Sequence, residues 1–141
     1  MRKSGVLMHI SSLPSPHGIG SMGKPARDFV DFLDKAGQAY WQILPVCPTS
    51  YGDSPYQSFS TFAGNPYFID LDELCKAGYL KRKEYAGIDW ESEPDRVNYE
   101  ALYNKRYVVL RKAAERFLEN PEDGYEEFCH DNRSWICLLY T

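Results

Sequence analysis

Within its first 46 residues the chain passes from a β-forming run through a loop and a one-sided helix to a second β-forming run, an order that calls for a parallel sheet. Gly5-Val6-Leu7-Met8-His9-Ile10 is short and apolar, and it stops at Ser11-Ser12-Leu13-Pro14, so it reads as a buried strand ending in a loop. Pro25 suits the first turn of a helix. Phe29, Phe32, Leu33 and Ala36 then recur at helical spacing, and Gly37 is placed to end the helix. Residues 40–46, Tyr-Trp-Gln-Ile-Leu-Pro-Val, form the second strand, with Pro45 near its end where a ladder donor can be spared. The fold class is therefore α/β.

A chain of 141 residues makes about one domain, large enough to bury a real core. With 16 basic against 20 acidic residues, a net charge of −4 and no basic stripe, nucleic acid is not an expected partner. The 7 Phe, 11 Tyr and 3 Trp make it too rich in aromatics for disorder. No signal peptide or membrane-spanning run is visible, so neither secretion nor a membrane partner is expected. Cys47, Cys75, Cys129 and Cys137 are widely spaced, without a C-x-x-C pair or a zinc-like arrangement. They read as buried thiols in a reducing cytoplasm, with no metal.

Residues 47–66 change character. Pro48, Gly52, Pro55, Gly64 and Pro66 are interspersed with Ser, Thr, Tyr51, Tyr56, Phe59 and Phe62, without a period. A loop this long inside a compact domain is functional or disordered, and its aromatics argue against disorder. It follows a strand of a βα unit, where α/β folds bind ligands. Hydroxyls, amides and aromatic faces with the single carboxylate Asp53 suit a neutral polyhydroxylated ligand. A phosphate would fit poorly, because residues 40–74 contain no Lys or Arg. Beyond the loop, a short helix is expected over 70–78 and a long one over 99–118. In the long helix Leu102, Tyr103, Leu110, Ala113, Ala114 and Phe117 share a face, and a last short helix is expected over 125–129.

Each candidate also has a plainer reading. Asp53 after Gly52 suits a turn former, Gln57 and Asn65 suit loop staples, and Tyr51 and Tyr56 stand open between packing and stacking on a ligand. His9 at the strand end reads as a satisfied core histidine, and His17 and His130 as loop and surface residues. Gly18-Ile19-Gly20 lacks both the third glycine of a dinucleotide loop and the Lys-Ser/Thr of a P-loop. Glycoside cleavage needs two carboxyl groups, roughly 5 Å apart for retention. Asp53 and Asp70 are the acidic residues near the aromatic loop, and their spacing does not prescribe a pair.

Three blocks together carry a family resemblance: Gly-Val-Leu-Met-His-Ile-Ser-Ser-Leu-Pro with Gly-Ile-Gly, Tyr-Trp-Gln-Ile-Leu-Pro, and Tyr-Gly-Asp-Ser-Pro-Tyr-Gln-Ser-Phe-Ser with Ala-Gly-Asn-Pro-Tyr. Over about residues 2–135 the chain resembles the N-terminal part of the 4-α-glucanotransferases, the amylomaltases or disproportionating enzymes. The resemblance implies the first part of a (β/α)8 TIM barrel with a helical insertion, the barrel being incomplete because it takes about 250 residues. Residues 1–70 would be the first βα units with the sugar-binding loop and 71–135 a mostly helical insertion. The implied reaction moves an α-1,4-glucan segment to the 4-hydroxyl of another glucan or of glucose, by retaining double displacement. Starch, glycogen and maltooligosaccharides would be its partners, and no cofactor is implied.

Ser54 and Tyr56 match residues that line sugar subsites beside the catalytic centre, and Tyr51 a tyrosine that in some members stacks on glucan at a second site. Asp53, Gln57 and Asn65 take loop-architecture roles. The catalytic carboxylates of the family lie on later barrel strands, so none is assigned here and no activity is expected of this chain alone. A non-catalytic α-glucan-binding fragment is the alternative. Residues 136–141, Ile-Cys-Leu-Leu-Tyr-Thr, depart from the family pattern and read as an aberrant or truncated tail.

Overall fold

The computed structural model describes residues 2–93 and 95–137. Strands β1 (Gly5–Leu7) and β2 (Tyr40–Gln42) pair in parallel, with Val6 opposite Trp41, and helix α1 (Lys24–Lys35) lies on the crossover between them. Pro25 sits in the first turn of α1, where its missing N–H costs nothing. Gly37 follows the helix in the left-handed region at φ +68°, a conformation costly for a side chain with a Cβ. The Trp41 indole N–H donates to the Met8 carbonyl at 2.7 Å and pins the two strand ends to each other.

After the long loop, helix α2 (Leu71–Lys76) is capped by Asp70, whose Oδ1 accepts the Glu73 N–H at 2.9 Å. Helix α3 (Tyr99–Ala101) is capped by Asn98 and runs through a π turn, Leu102–Arg106, into α4 (Tyr107–Glu119). Helices α5 (Tyr125–Asp131) and α6 (Arg133–Ile136) follow. One core joins the two halves of the chain. Ile10, Leu13, Ile19 and Phe68 pack with Leu80, Tyr85, Trp90, Leu102 and Val109.

Polar clamps hold that core together. Arg106 is wholly buried, and it donates to the His17 carbonyl at 3.0 Å and the Ile69 carbonyl at 2.7 Å. Burial pulls its guanidinium down to about 10. Arg116 makes a two-pronged contact with Glu84, at 2.7 and 2.6 Å, and also donates to the Tyr79 carbonyl.

Several expectations are corrected. The first strand is shorter than 5–10 and is not buried: Leu7 is 58% exposed, because the sheet face that carries Gly5, Leu7, Tyr40 and Gln42 is uncovered, while Val6 and Trp41 on the other face are half-buried. The second strand ends at Gln42, before Pro45. On α1, Leu33 is buried, but Phe32 and Ala36 face outward. On the long helix Tyr103 and Ala114 face outward, and the π turn breaks the regular repeat. His17 is no surface residue. Its ring is buried against Tyr85 and lies 3.1 Å from the Asp72 carboxylate, to which Tyr85 also donates at 2.7 Å. That bond from Tyr85 is the main cause holding the Asp72 carboxyl below its usual range. The thiols are not buried: Cys47, Cys75 and Cys129 are half-buried and Cys137 is exposed. Among the described residues no helix is long and apolar enough to cross a membrane. Of the tail over 136–141, residues 138–141 lie outside the described residues.

Candidate functional site

The long loop is built from short-range hydrogen bonds rather than from repetitive structure. Asp53 N–H donates to Ser50 O, Gln57 N–H to Ser54 O and Ser50 N–H to Gln57 O, each at 3.0 Å, so residues 50–57 close on themselves as two linked turns. Asp53 lies at φ +54°, a left-handed conformation that Asp tolerates better than most residues, and its Oδ1 accepts from Thr49 Oγ at 3.4 Å. Ser60 Oγ accepts the N–H groups of Phe62 and Ala63, turning the chain again. The Phe62 ring stacks on Trp135 of α6, with centroids 6.1 Å apart and planes at 22°. Asn65 ends the loop: its Oδ1 accepts the Tyr67 N–H at 3.0 Å, starting the turn Pro66–Phe68.

Between this loop and the C-terminal ends of β1 and β2 lies a cleft of about 160 Å³. Its polar wall is His9, Ser11, Ser12, Thr49, Asp53 and Asn65, and Phe68 and Tyr99 stand among its apolar residues. Asp53 is the one carboxylate lining it among the described residues. The other nearby acid, Asp70, is engaged elsewhere, by the α2 cap and by Ser21 Oγ at 2.6 Å. Burial, with a smaller contribution from the Asp53 charge, raises the phenols of Tyr67, Tyr99 and Tyr107. They remain neutral hydroxyls at neutral pH.

Of the residues singled out in the sequence, Asp53 and Asn65 line the cleft. Gln57 contributes its backbone to the loop tip, and Ser54 Oγ accepts the Tyr56 N–H at 3.4 Å. Tyr51 and Tyr56 stand outside the cleft, 98% and 75% exposed, so neither ring packs in the core. Sequence reasoning passed over Ser11, Ser12 and Thr49, and it read His9 as a core residue. Their signal was positional: His9 stands at the end of a β-forming run and Ser11, Ser12 and Thr49 come just after one, where α/β proteins bind ligands.

The family model for 4-alpha-glucanotransferase, glycoside hydrolase family 77, matches residues 8–138. The chain belongs to this family. It is 54% identical over 139 residues to the 4-alpha-glucanotransferase of Streptococcus pneumoniae serotype 4, a match that covers 98% of this chain and 28% of that protein. The Clostridium butyricum 4-alpha-glucanotransferase is 50% identical over 129 residues, covering 92% of this chain and 26% of the relative. An amylomaltase from Streptococcus agalactiae, solved in complex with acarbose, superposes with a TM-score of 0.89 at 45% identity, over 94% of this chain and 27% of that one. The chain thus spans little more than a quarter of the length of these 4-alpha-glucanotransferases.

Proposed function

We propose that this chain supplies the opening βα units and part of the α-glucan-binding surface of a cytoplasmic 4-α-glucanotransferase built on a (β/α)8 barrel. In this reading residues 1–70 carry the sugar-binding loop and 71–135 form a helical insertion that shares its core. The reaction transfers an α-1,4-glucan segment from starch, glycogen or a maltooligosaccharide to the 4-hydroxyl of a glucan or of glucose. Tyr51, Ser54 and Tyr56 contact substrate, while Asp53, Gln57 and Asn65 shape the loop.

The observation that carries this reading is the pairing of two exposed tyrosines with a polar cleft at the ends of two parallel strands, in a chain of this family. Exposed aromatic rings on a loop held by its own hydrogen bonds can cover sugar faces at low entropic cost. Acarbose in the Streptococcus agalactiae relative supports an oligosaccharide as the ligand class.

A retaining transfer needs two carboxyl groups flanking the scissile bond, and among the described residues Asp53 is the one carboxylate that lines the cleft. That lone carboxylate favours a second reading for the chain by itself, α-glucan binding without cleavage. Incubation of the purified chain with maltotriose and chromatography of the products tests both. No glucose and no longer oligomers are expected; steady disproportionation overturns the assignment of catalysis to residues beyond this chain.

A further inference from the structure

We propose that His9 is a sugar-binding residue, presenting its Nε2–H as a fixed donor to a hydroxyl of the ligand in the cleft. The inference rests on the α-glucan reading above and assigns a residue that neither the motifs nor the loop singled out. His9 sits two residues beyond β1. Its ring meets Phe68 edge-on, with centroids 5.3 Å apart at 82°, which fixes the plane of the imidazole.

The tautomer follows from one contact. The Leu44 backbone N–H donates to His9 Nδ1 at 3.3 Å, so Nδ1 carries no proton and the neutral ring carries it on Nε2. Burial lowers the pKa of the ring, in keeping with the neutral form. Nε2 has no hydrogen-bond partner among the described residues, although His9 lines the cleft.

The other polar groups of the wall sort into two sets. Asn65 Oδ1 is engaged by Tyr67 N–H, and the Thr49 hydroxyl by Asp53. The hydroxyls of Ser11 and Ser12, like His9 Nε2, make no hydrogen bond among the described residues. The cleft is thus lined near the end of β1 by three side chains with open donors, His9, Ser11 and Ser12, and its lining also contains the Asp53 carboxylate. A neutral group that both donates and accepts matches that set, whereas an anion would meet the Asp53 charge. A sugar hydroxyl is such a group. The volume of about 160 Å³ far exceeds the ~10–15 Å³ one water needs and suits one edge of a sugar unit rather than a chain.

Long-range 1H–15N correlation spectra of the 141-residue chain, titrated with maltoheptaose, test this directly. The His9 signals are assigned by their loss in His9→Gln. The expected result is an Nε2–H tautomer in the free chain and a saturable shift of Nε2 on titration. His9→Phe should bind about fivefold more weakly, the equivalent of one neutral hydrogen bond, and His9→Gln, which keeps an amide donor, should retain most of the affinity. An Nδ1–H tautomer overturns the proposal. So does an unmoved Nε2 while the Tyr51 and Tyr56 ring-proton signals, followed in parallel aromatic 1H–13C spectra, shift, which leaves the glucan reading intact. No shift at any of these groups overturns that reading and the His9 assignment with it. The tautomer is read on the native sequence, so it decides even if a variant fails to fold.

Discussion

The backbone N–H of Asn65 donates to the Val46 carbonyl at 2.8 Å, so the loop over 47–64 leaves and returns at a single point beyond β2. Its side chain then caps the turn that carries Tyr67 and Phe68 into the core. One residue closes the neck of the loop and ties it to the fold. Asn65→Ala keeps the neck bond but loses the cap, and should cost about 1 kcal/mol, read as a lower urea midpoint at unchanged slope.

Tyr51 makes the opposite case. At 98% exposure it contributes nothing to the core, so Tyr51→Ala should leave stability within about 0.5 kcal/mol of the parent. A thermal melt checks this. A fall of several degrees would show that the ring packs against something in solution, and its role as a sugar platform would lose its basis.

Arg106 should be among the most sensitive positions of the chain. Arg106→Ala strips the His17 and Ile69 carbonyls of their donor and leaves a cavity beside Trp90, at a cost of about 3 kcal/mol or more. Arg106→Lys, with one charged nitrogen in place of a fork, should recover only part of this. Urea denaturation of the two variants measures the difference.

Gly20 is fixed by contact rather than by chemistry. A Cβ there would lie 2.0 Å from the Ile10 carbonyl oxygen and 2.8 Å from that of Leu13, both backbone atoms that cannot swing away. Gly20→Ala should therefore prevent folding, seen as collapse of amide dispersion in an NMR spectrum. The faint phosphate-loop look of Gly18-Ile19-Gly20 thus has a packing explanation. Ile19 is buried in the core, and Gly20 lets the chain pass against the turn at Ile10–Ser12.

Acid should act through Glu84. The hydrogen bonds from Arg116 hold its carboxyl at about 2, below the usual carboxylate range. A depressed folded-state pKa means that the unfolded chain takes up this proton first. The stabilisation is present above the ordinary value near 4.5 and is lost as pH falls towards 2. Melts of Glu84→Gln against the parent should differ most at neutral pH and converge through that window; a constant gap would remove the assignment.

Much of this architecture was legible in the residues. The helical spacing of Phe29 and Leu33, Gly37 after the helix, and the short helix expected over 70–78 mark real elements, since local propensity and capping act there without help from afar. The misread positions depend on distant partners. His17 is buried because Asp72 and Tyr85, far along the chain, close over it, and the strands are short and open because none of the described residues pairs with their outer edges. The loop could be read as a sugar-like surface from its composition. The cleft beneath it could not, because Ser11, Ser12 and Thr49 become neighbours only once β1 and β2 lie side by side.

Calorimetric titration of the purified chain with maltoheptaose, beside Tyr51→Ala and Tyr56→Ala, is the most direct test of a glucan-binding loop carried by this chain. Saturable binding that weakens at least about threefold, a loss of roughly 0.7 kcal/mol, in one or both variants is the expected result. Absence of binding by the folded parent, or binding that both substitutions leave unchanged, would contradict it.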